Sequence, residues 1–258
     1  MIKSIIENIG GKTIDAFVSI FSALKITFLS VVFLFFPTSY KQQARETLVK
    51  QIYFTALEPL ALFLFLAFLF GTSILGAIIS LIIEYNLQDK IGLTIIKFSI
   101  NEFAPFFTAL FIALHSGAHI NVNLMQKKQD NKLETSTESL MQILLPRVLA
   151  GMFSTLILSA LVATIVLMSG YVFTLFYLNM ELNGYIYTLM RAIEPSDLFV
   201  FITKTLLFGF LSMFIPVYLA IKSQNKPELL ANTLLKNMLK LLVVLFFIEV
   251  LSLVLQSL

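Results

Sequence analysis

The residues best suited to chemistry lie in the stretch INEFAPFFTALFIALHSGAHINVN, which begins at Ile100. Glu102 precedes Pro105 by three residues inside an otherwise apolar run, and His115 and His119 follow where the apolar run stops. A carboxylate within a membrane span is costly and usually faces protein or a water-filled cavity. Two interpretations are therefore open for Glu102: a structural polar cluster at the outer interface, or a polar element of a substrate cavity.

Three further ionisable residues lie in or beside apolar segments. Glu58 precedes a proline near the inner end of the first segment, and Glu249 lies in the last. With Glu102, these carboxylates could serve as the proton or ion sites of a gradient-driven transporter or channel. Lys204 lies near the outer end of its segment, where a long side chain is expected to snorkel to the interface.

The two histidines are an i, i+4 pair and would share one helical face. A metal site needs more ligands, and no neighbouring Asp or Glu is placed to help; Asn121 and Asn123 are weak candidates. An interfacial surface where a helix leaves the membrane is the preferred interpretation, with no metal site and no catalytic residues. The sequence contains no Gly-rich phosphate loop, no Ser/His/Asp arrangement and no HExxH, so an enzyme is not predicted.

Composition places these residues in a membrane. Hydrophobic residues make up 58% of the 258 residues and charged residues 13%, against about 25% charged in soluble domains. The apolar runs are continuous rather than alternating, which favours helices over a barrel. The absence of cysteine excludes disulfides and thiolate metal sites. The net charge of +3 is too small to indicate nucleic-acid binding, so the predicted class is an all-α integral membrane protein.

The hydropathy pattern predicts one membrane domain, residues 1–258, with an N-terminal amphipathic interfacial helix over residues 1–36. A signal peptide is the competing interpretation, but Asp15 and Lys25 interrupt its would-be core and no small-residue cleavage site follows Phe36. A polar segment at 117–142 separates the second and third of five predicted transmembrane segments. The predicted segments cover 47–84, 93–116, 147–178, 197–221 and 231–256, and a short outer-side helix covers 184–193.

Basic residues predict the orientation. Ten Lys or Arg residues lie in three of the polar connections, against two, Lys90 and Arg191, in the alternate ones. Positive residues are enriched on the cytoplasmic side. The prediction is a cytoplasmic N-terminus and a C-terminus outside.

Three stretches resemble the MlaE/YrbE family, the permeases of MCE-associated ABC lipid transporters. They are LVKQIYFTALEPLALFLFLAFLFG, INEFAPFFTALFIALHSGAHINVNLM and LLPRVLAG. Glu102-Phe103-Ala104-Pro105 looks like the family's E-L-G-P. His115-Ser116-Gly117-Ala118 occupies the place of its R-A-G-S, and Pro146-Arg147 matches its P-R. The individual motifs are short, so the resemblance rests on their order and spacing over nearly the whole chain.

This sequence departs from the family pattern at several positions. Asn101 replaces the arginine that precedes the glutamate, and Lys97, one turn earlier, is expected to supply the positive charge instead. The family's cytoplasmic T-A-E-I-G becomes Asn121-Val122-Asn123-Leu124-Met125, without its glutamate.

The resemblance implies a transport subunit of the bacterial inner membrane that moves phospholipids between the inner and outer membranes. It implies a homodimer, a cytoplasmic ABC ATPase that binds ATP and Mg²⁺, and an MCE-domain protein on the outer side. This chain itself would bind no cofactor and no nucleic acid. A gradient-driven transporter remains the alternative, although the chain shows no internal repeat of the kind such transporters usually carry.

The resemblance also implies roles for particular residues. Glu102 would line an outward-facing lipid cavity, with Lys97 offsetting its charge and Phe103 lining the path of the acyl chains. The segment 117–142 would couple to the ATPase. The residues expected to make this contact are Asn123, Leu124, Met125, Lys127, Lys128 and Leu140.

Overall fold

The computed structural model describes residues 42–129, 137–222 and 230–257, and in these ranges the chain is helical without strands. The interfacial helix predicted over residues 1–36 lies outside the described residues, as does the middle of the predicted coupling segment, 130–136. The helices are α1 Gln42–Ile52, α2 Leu60–Glu84, α3 Ile91–Ile96, α4 Ala104–Ile112, α5 Ala118–Gln129, α6 Thr137–Leu178, α7 Leu182–Ala192, α8 Pro195–Lys222 and α9 Leu230–Ser257.

Five helical stretches within the described residues are long and apolar enough to cross a membrane. These spans are Leu60–Glu84, Ile91–Lys127, Ile143–Leu178, Pro195–Ile221 and Ala231–Gln256. They confirm the prediction of an all-α integral membrane protein. These runs are helical because, for long continuous apolar segments in lipid, a helix satisfies the hydrogen bonding of every backbone N–H and C=O group.

The second span is one continuous helical rod with two wider turns. The π-helical segment Lys97–Phe103 joins α3 to α4, and the π-helical segment Ala113–Gly117 joins α4 to α5. A third π-helical segment, Tyr53–Leu57, follows α1. The rod extends beyond the apolar run, so the first part of the polar segment is a helical continuation of the span rather than a separate loop. Such π-helical turns are frequently found at functional sites.

Asparagine and proline residues mark several helix boundaries. Asn86 follows α2 with φ 55° and Asn179 follows α6 with φ 51°, a left-handed conformation that asparagine tolerates better than most residues. Pro195 begins α8, where its missing N–H costs nothing. The short helix α7 is fixed to α6 by Tyr185, whose buried hydroxyl donates to the Leu167 carbonyl at 2.6 Å; burial raises the pKa of this phenol.

Small residues bring the third and fourth spans into close contact. A Cβ added at Gly209 in α8 would lie 2.7 Å from the Met152 Cα and 2.8 Å from the Gly151 carbonyl oxygen of α6. A Cβ at Gly151 would in turn lie 2.7 Å from the Gly209 oxygen. Close approach at small residues is a principal source of helix association in membranes, where the hydrophobic effect between helices is weak. The Gly151–Gly209 contact therefore sets the distance between α6 and α8.

We expect Gly209→Ala to destabilise the protein by about 1–3 kcal/mol, because the added methyl group meets backbone atoms that cannot move aside. Gly184→Ala is the matched control, since a Cβ there comes no closer than 3.5 Å to the Met180 Cγ. Thermal unfolding of both variants in detergent checks the difference. Equal unfolding temperatures for the two variants would show that the contact is not tight.

Candidate functional site

Three ionisable side chains from three spans meet inside the helical bundle. The Lys204 ammonium lies 2.6 Å from Glu102 Oε2 and 3.0 Å from Glu249 Oε2. It also donates to Glu249 Oε1 at 3.1 Å. Lys204 is 5% exposed and Glu249 9% exposed. We refer to Glu102, Lys204 and Glu249 as the charged triad.

Each member of the charged triad comes from a different helix of the fold. Glu102 lies on the π-helical segment Lys97–Phe103, Lys204 on α8 and Glu249 on α9. Pro105 follows Glu102 at the start of α4 and cannot donate a backbone hydrogen bond to the preceding turn. The wider turn before the proline displaces this part of the second span, and Glu102 projects from it towards the fourth and fifth spans.

The charged triad contains two carboxylates and one ammonium, and it is exposed on the side of Glu102. Gln256 Nε2 donates to Glu102 Oε1 at 3.0 Å, so both oxygens of Glu102 have a partner. The Glu102 side chain is 21% exposed, whereas that of Lys204 is 4% exposed. Removing one partner from a buried ion pair costs far more than the pair contributes, because the other charge stays buried. The ammonium of Lys204 is thus the group on which both carboxylates depend.

A second polar cluster fastens the other side of the same π-helical segment. The Asp197 carboxylate, 1% exposed, accepts from Asn101 Nδ2 at 2.8 Å and lies 3.1 Å from the Lys97 ammonium. Its other oxygen accepts from the backbone N–H of Glu194 at 3.0 Å. Asp197 lies in the first turn of α8, where a negative charge is favoured. This cluster ties the beginning of the fourth span to the second span.

The expected partnership between Lys97 and Glu102 is replaced by this arrangement. Lys97 and Asn101 are four residues apart and both reach Asp197, while Lys204 from the neighbouring helix occupies the position next to Glu102. Lys97 is the more exposed member of its pair, with a side chain 44% exposed. The sequence prediction that Lys204 snorkels to the interface also differs from the structure, in which its ammonium is buried between two carboxylates.

Phe103, expected to line the path of the acyl chains, packs in the interior. It is 8% exposed, and its ring lies 5.4 Å from that of Phe98 and 5.1 Å from that of Phe107. In this conformation Phe103 is a core residue that supports the turn carrying Glu102.

The residues expected to contact an ATPase divide into a buried and an exposed group. Leu124 is 3% and Met125 4% exposed, and both belong to the core of this chain. Asn123 and Lys127 are exposed on α5. The two apolar side chains are therefore unavailable to a partner in this conformation, because they already pack within the bundle. Lys128 and Leu140 lie on described helices, but their side chains are outside the described part of the structure.

The histidines make local contacts. His115 Nδ1 lies 3.4 Å from Ser116 Oγ, and its ring stacks on Phe111 at 5.7 Å. His119 Nε2 lies 2.9 Å from Asn123 Nδ2. Within the described residues no three His, Cys, Asp or Glu side chains are grouped so that they could hold a metal ion.

Sequence reasoning singled out Glu102 and Glu249 but did not bring them together, and it missed Asp197. The cluster residues are far apart in the chain: Lys204 is 102 positions from Glu102 and 45 from Glu249. One available signal was the number of charges near the predicted outer ends of the spans. Charges at similar membrane depth on different helices tend to pair with one another.

We expect Lys204→Met to cost about 3–5 kcal/mol of stability, because it leaves two buried carboxylates without a cation. Adding Glu249→Gln to this variant should restore part of the loss by removing one of them. Glu102→Gln alone should be milder, since Glu249 still neutralises Lys204. Thermal unfolding in detergent measures all three, with Lys90→Met at an exposed position as the matched control. An unchanged unfolding temperature for Lys204→Met would contradict the energetic importance of the charged triad.

Comparison with known proteins identifies the class of this membrane protein. Residues 48–255 match the family described as Permease MlaE. A protein of Rickettsia felis (strain ATCC VR-1525 / URRWXCal2) named "Probable ABC transporter permease protein" is 21% identical over 222 residues, which cover 84% of this chain and 84% of that protein. The family match reaches into all five spans and includes every member of the charged triad. The chain belongs to the MlaE permease family.

Proposed function

We propose that this chain is the membrane subunit of an ABC transporter that moves phospholipids between the inner and outer membranes, driven by a separate cytoplasmic ATPase. The observation that carries the proposal is the family match over residues 48–255, which includes the charged triad. The ATPase would bind ATP and Mg²⁺. An MCE-domain protein on the outer side would receive or deliver the lipid.

The chemistry of the charged triad suits a phospholipid headgroup. A phosphodiester is an anion, and Lys204 is the cation that could accept it in exchange for one of its carboxylates. Glu102 is the more exposed carboxylate of the pair, so it is the partner that can leave Lys204 at the lower desolvation cost. Glu102 then acts as a placeholder that keeps the buried ammonium neutralised when no lipid is bound.

A homodimer would place two such sites side by side. The fifth span carries a large apolar surface that the single chain does not cover, and only 22% of its most apolar stretch is buried. Part of this surface faces lipid in any membrane protein. In the proposed dimer, the part next to the charged triad faces the second copy, and the two triads border a shared cavity open to the outer side.

The alternative is a gradient-driven transporter that uses Glu58, Glu102 and Glu249 as proton or ion sites. The convergence of Glu102 and Glu249 on one ammonium is the observation in its favour. Glu58 does not join them: it lines a cavity with His115 and His119, towards the other end of the second span. A proton route needs a carboxyl group that binds and releases a proton. Replacing such a group with an amide therefore distinguishes a gradient-driven transporter from an ATP-driven lipid permease.

We expect Glu102→Gln to transport lipid at a rate near that of the wild type, because the amide keeps the shape and hydrogen bonding of the side chain while Glu249 still neutralises Lys204. Glu102→Lys should be severely impaired, because it puts a second cation against Lys204. Lipid transfer from vesicles that contain the purified permease and its ATPase checks both, after normalisation to the amount of folded protein. Loss of transport in Glu102→Gln as complete as in Glu102→Lys, with normal folding and ATPase binding, would favour a proton carrier.

A second test concerns the coupling segment and its side of the membrane. Because the chain has no cysteine, single cysteines report position without background. Gln126→Cys, at an exposed position on α5, should crosslink to the ATPase and react from the cytoplasmic side. Tyr187→Cys, on α7 and 67% exposed, should do neither. Crosslinking of the ATPase at Tyr187→Cys but not at Gln126→Cys would reverse the proposed orientation.

A further inference from the structure

A basic cavity lies at the end of the bundle remote from the charged triad. It has a volume of about 250 Å³ and is formed between α1, α5 and α6. Its basic lining residues are Lys50, Lys127 and Arg147. Asn123 on its wall is 21 residues beyond Glu102 along the continuous helical rod, a separation of about 30 Å. The cavity therefore lies on the side that the basic residues predict to be cytoplasmic.

None of the three cations of this basic cavity forms an ion pair with a carboxylate in the part of the chain that the structure describes. No carboxylate is among the residues that line the cavity, and the described ion pairs involve other lysines. Arg147 donates from Nη1 to the Ile143 carbonyl at 2.6 Å. Its Nε is buried and has no hydrogen-bond partner among the described residues. Three positive charges gathered around a small space are a site for an anion.

A second cavity adjoins the basic one, and two of the residues that line it, Phe54 and Leu114, are apolar. It has a volume of about 420 Å³ and shares Gln51, Phe54 and His119 with the basic cavity. It extends to Leu114, and both Leu114 and Phe54 are more than half exposed, at 55% and 52%. The Glu58 carboxylate lines this second cavity and not the basic one, so an anionic group is favoured in the basic cavity.

Two π-helical segments build the walls of the paired cavities. Phe54 and the neighbouring Leu57 belong to Tyr53–Leu57, and Leu114 belongs to Ala113–Gly117. Leu57 is 57% exposed. These apolar side chains are exposed on the outside of the described bundle and do not pack in its interior. A ligand with an anionic group in the basic cavity and apolar chains against Phe54, Leu57 and Leu114 would match both features.

We propose that the paired cavities hold an anionic phospholipid of the cytoplasmic leaflet, with its phosphate between Lys50, Lys127 and Arg147 and its acyl chains against Phe54 and Leu114. Basic pockets between helices on the cytoplasmic side of membrane proteins bind such headgroups. The site is separate from the charged triad, and it stands whether or not the chain carries phospholipids between membranes. A bound lipid here would tie α1 to the junction of the second and third spans, next to the segment proposed to contact the ATPase.

The proposal is tested by lipid retention rather than by transport. The full chain is placed in nanodiscs of phosphatidylcholine with a minor fraction of phosphatidylglycerol, extracted into mild detergent and examined by native mass spectrometry. The wild type should retain phosphatidylglycerol in preference to phosphatidylcholine. Lys50→Gln and Lys127→Gln should each reduce this preference by about fivefold, the effect of about one surface charge.

Three control variants separate charge from folding. Lys50→Arg with Lys127→Arg keeps both charges and should keep the preference. Lys236→Gln removes an exposed cation of α9 that lines neither cavity and should change nothing. Arg147 is partly buried, so Arg147→Gln can fail to fold, but Lys50 and Lys127 are exposed and their variants keep the test valid.

Several results would overturn the proposal. Unchanged phosphatidylglycerol retention in the Lys50→Gln, Lys127→Gln double variant would exclude a headgroup at this site. Displacement of the lipid by millimolar inorganic phosphate would indicate a site for free anions. Loss of ATPase copurification in the double variant, with lipid retention intact, would assign the cations to protein docking. Because lipid retention is measured on the permease alone, its outcome is independent of the outcome of the transport assays.

Discussion

The interaction on which this structure depends most is the burial of one ammonium group, that of Lys204, between two carboxylates. Lys204 lies about 14 Å along the fourth span from its first residue, so its charge is well inside the membrane region. Its two partners come from the second and fifth spans. A charge at such a depth requires a neutralising group, and this requirement holds the three spans together at one point. In the proposed function, an anionic headgroup takes the place of Glu102, the more exposed of the two carboxylates.

The rest of the bundle keeps that point in place. The Gly151–Gly209 contact fixes the distance between the third and fourth spans, and Asp197 fastens the start of the fourth span to Asn101 and Lys97. Asn101 and Glu102 are adjacent on one π-helical segment; Asn101 binds Asp197, and Glu102 belongs to the charged triad. A displacement of that segment would therefore disturb both clusters together. In an ABC permease, this arrangement offers a route by which movement of the helical rod, from α5 towards α3, reaches the charged triad.

The sequence was sufficient for the fold class and for part of the site. Continuous apolar runs allow only helices in lipid. Glu102 and Glu249 were identifiable because each is a carboxylate within an apolar run. The pairing was not predictable, because Lys204 meets partners 102 and 45 positions away through tertiary packing. The burial of Leu124 and Met125 could have been predicted. Ile120, Asn121, Leu124 and Met125 are all buried and follow the spacing of one helical face, and the exposed Asn123 and Lys127 lie at its edge.

The central claim is that lipid movement through this chain is driven by ATP hydrolysis on a partner and not by an ion gradient. The most direct measurement follows lipid transfer in vesicles that contain the permease and its ATPase, with ATP supplied and all ion gradients collapsed by ionophores. The account predicts that transfer continues under these conditions and stops when ATP is replaced by a non-hydrolysable analogue. Transfer that stops when the gradients are collapsed, and that proceeds without ATP when a proton gradient is imposed, would contradict it.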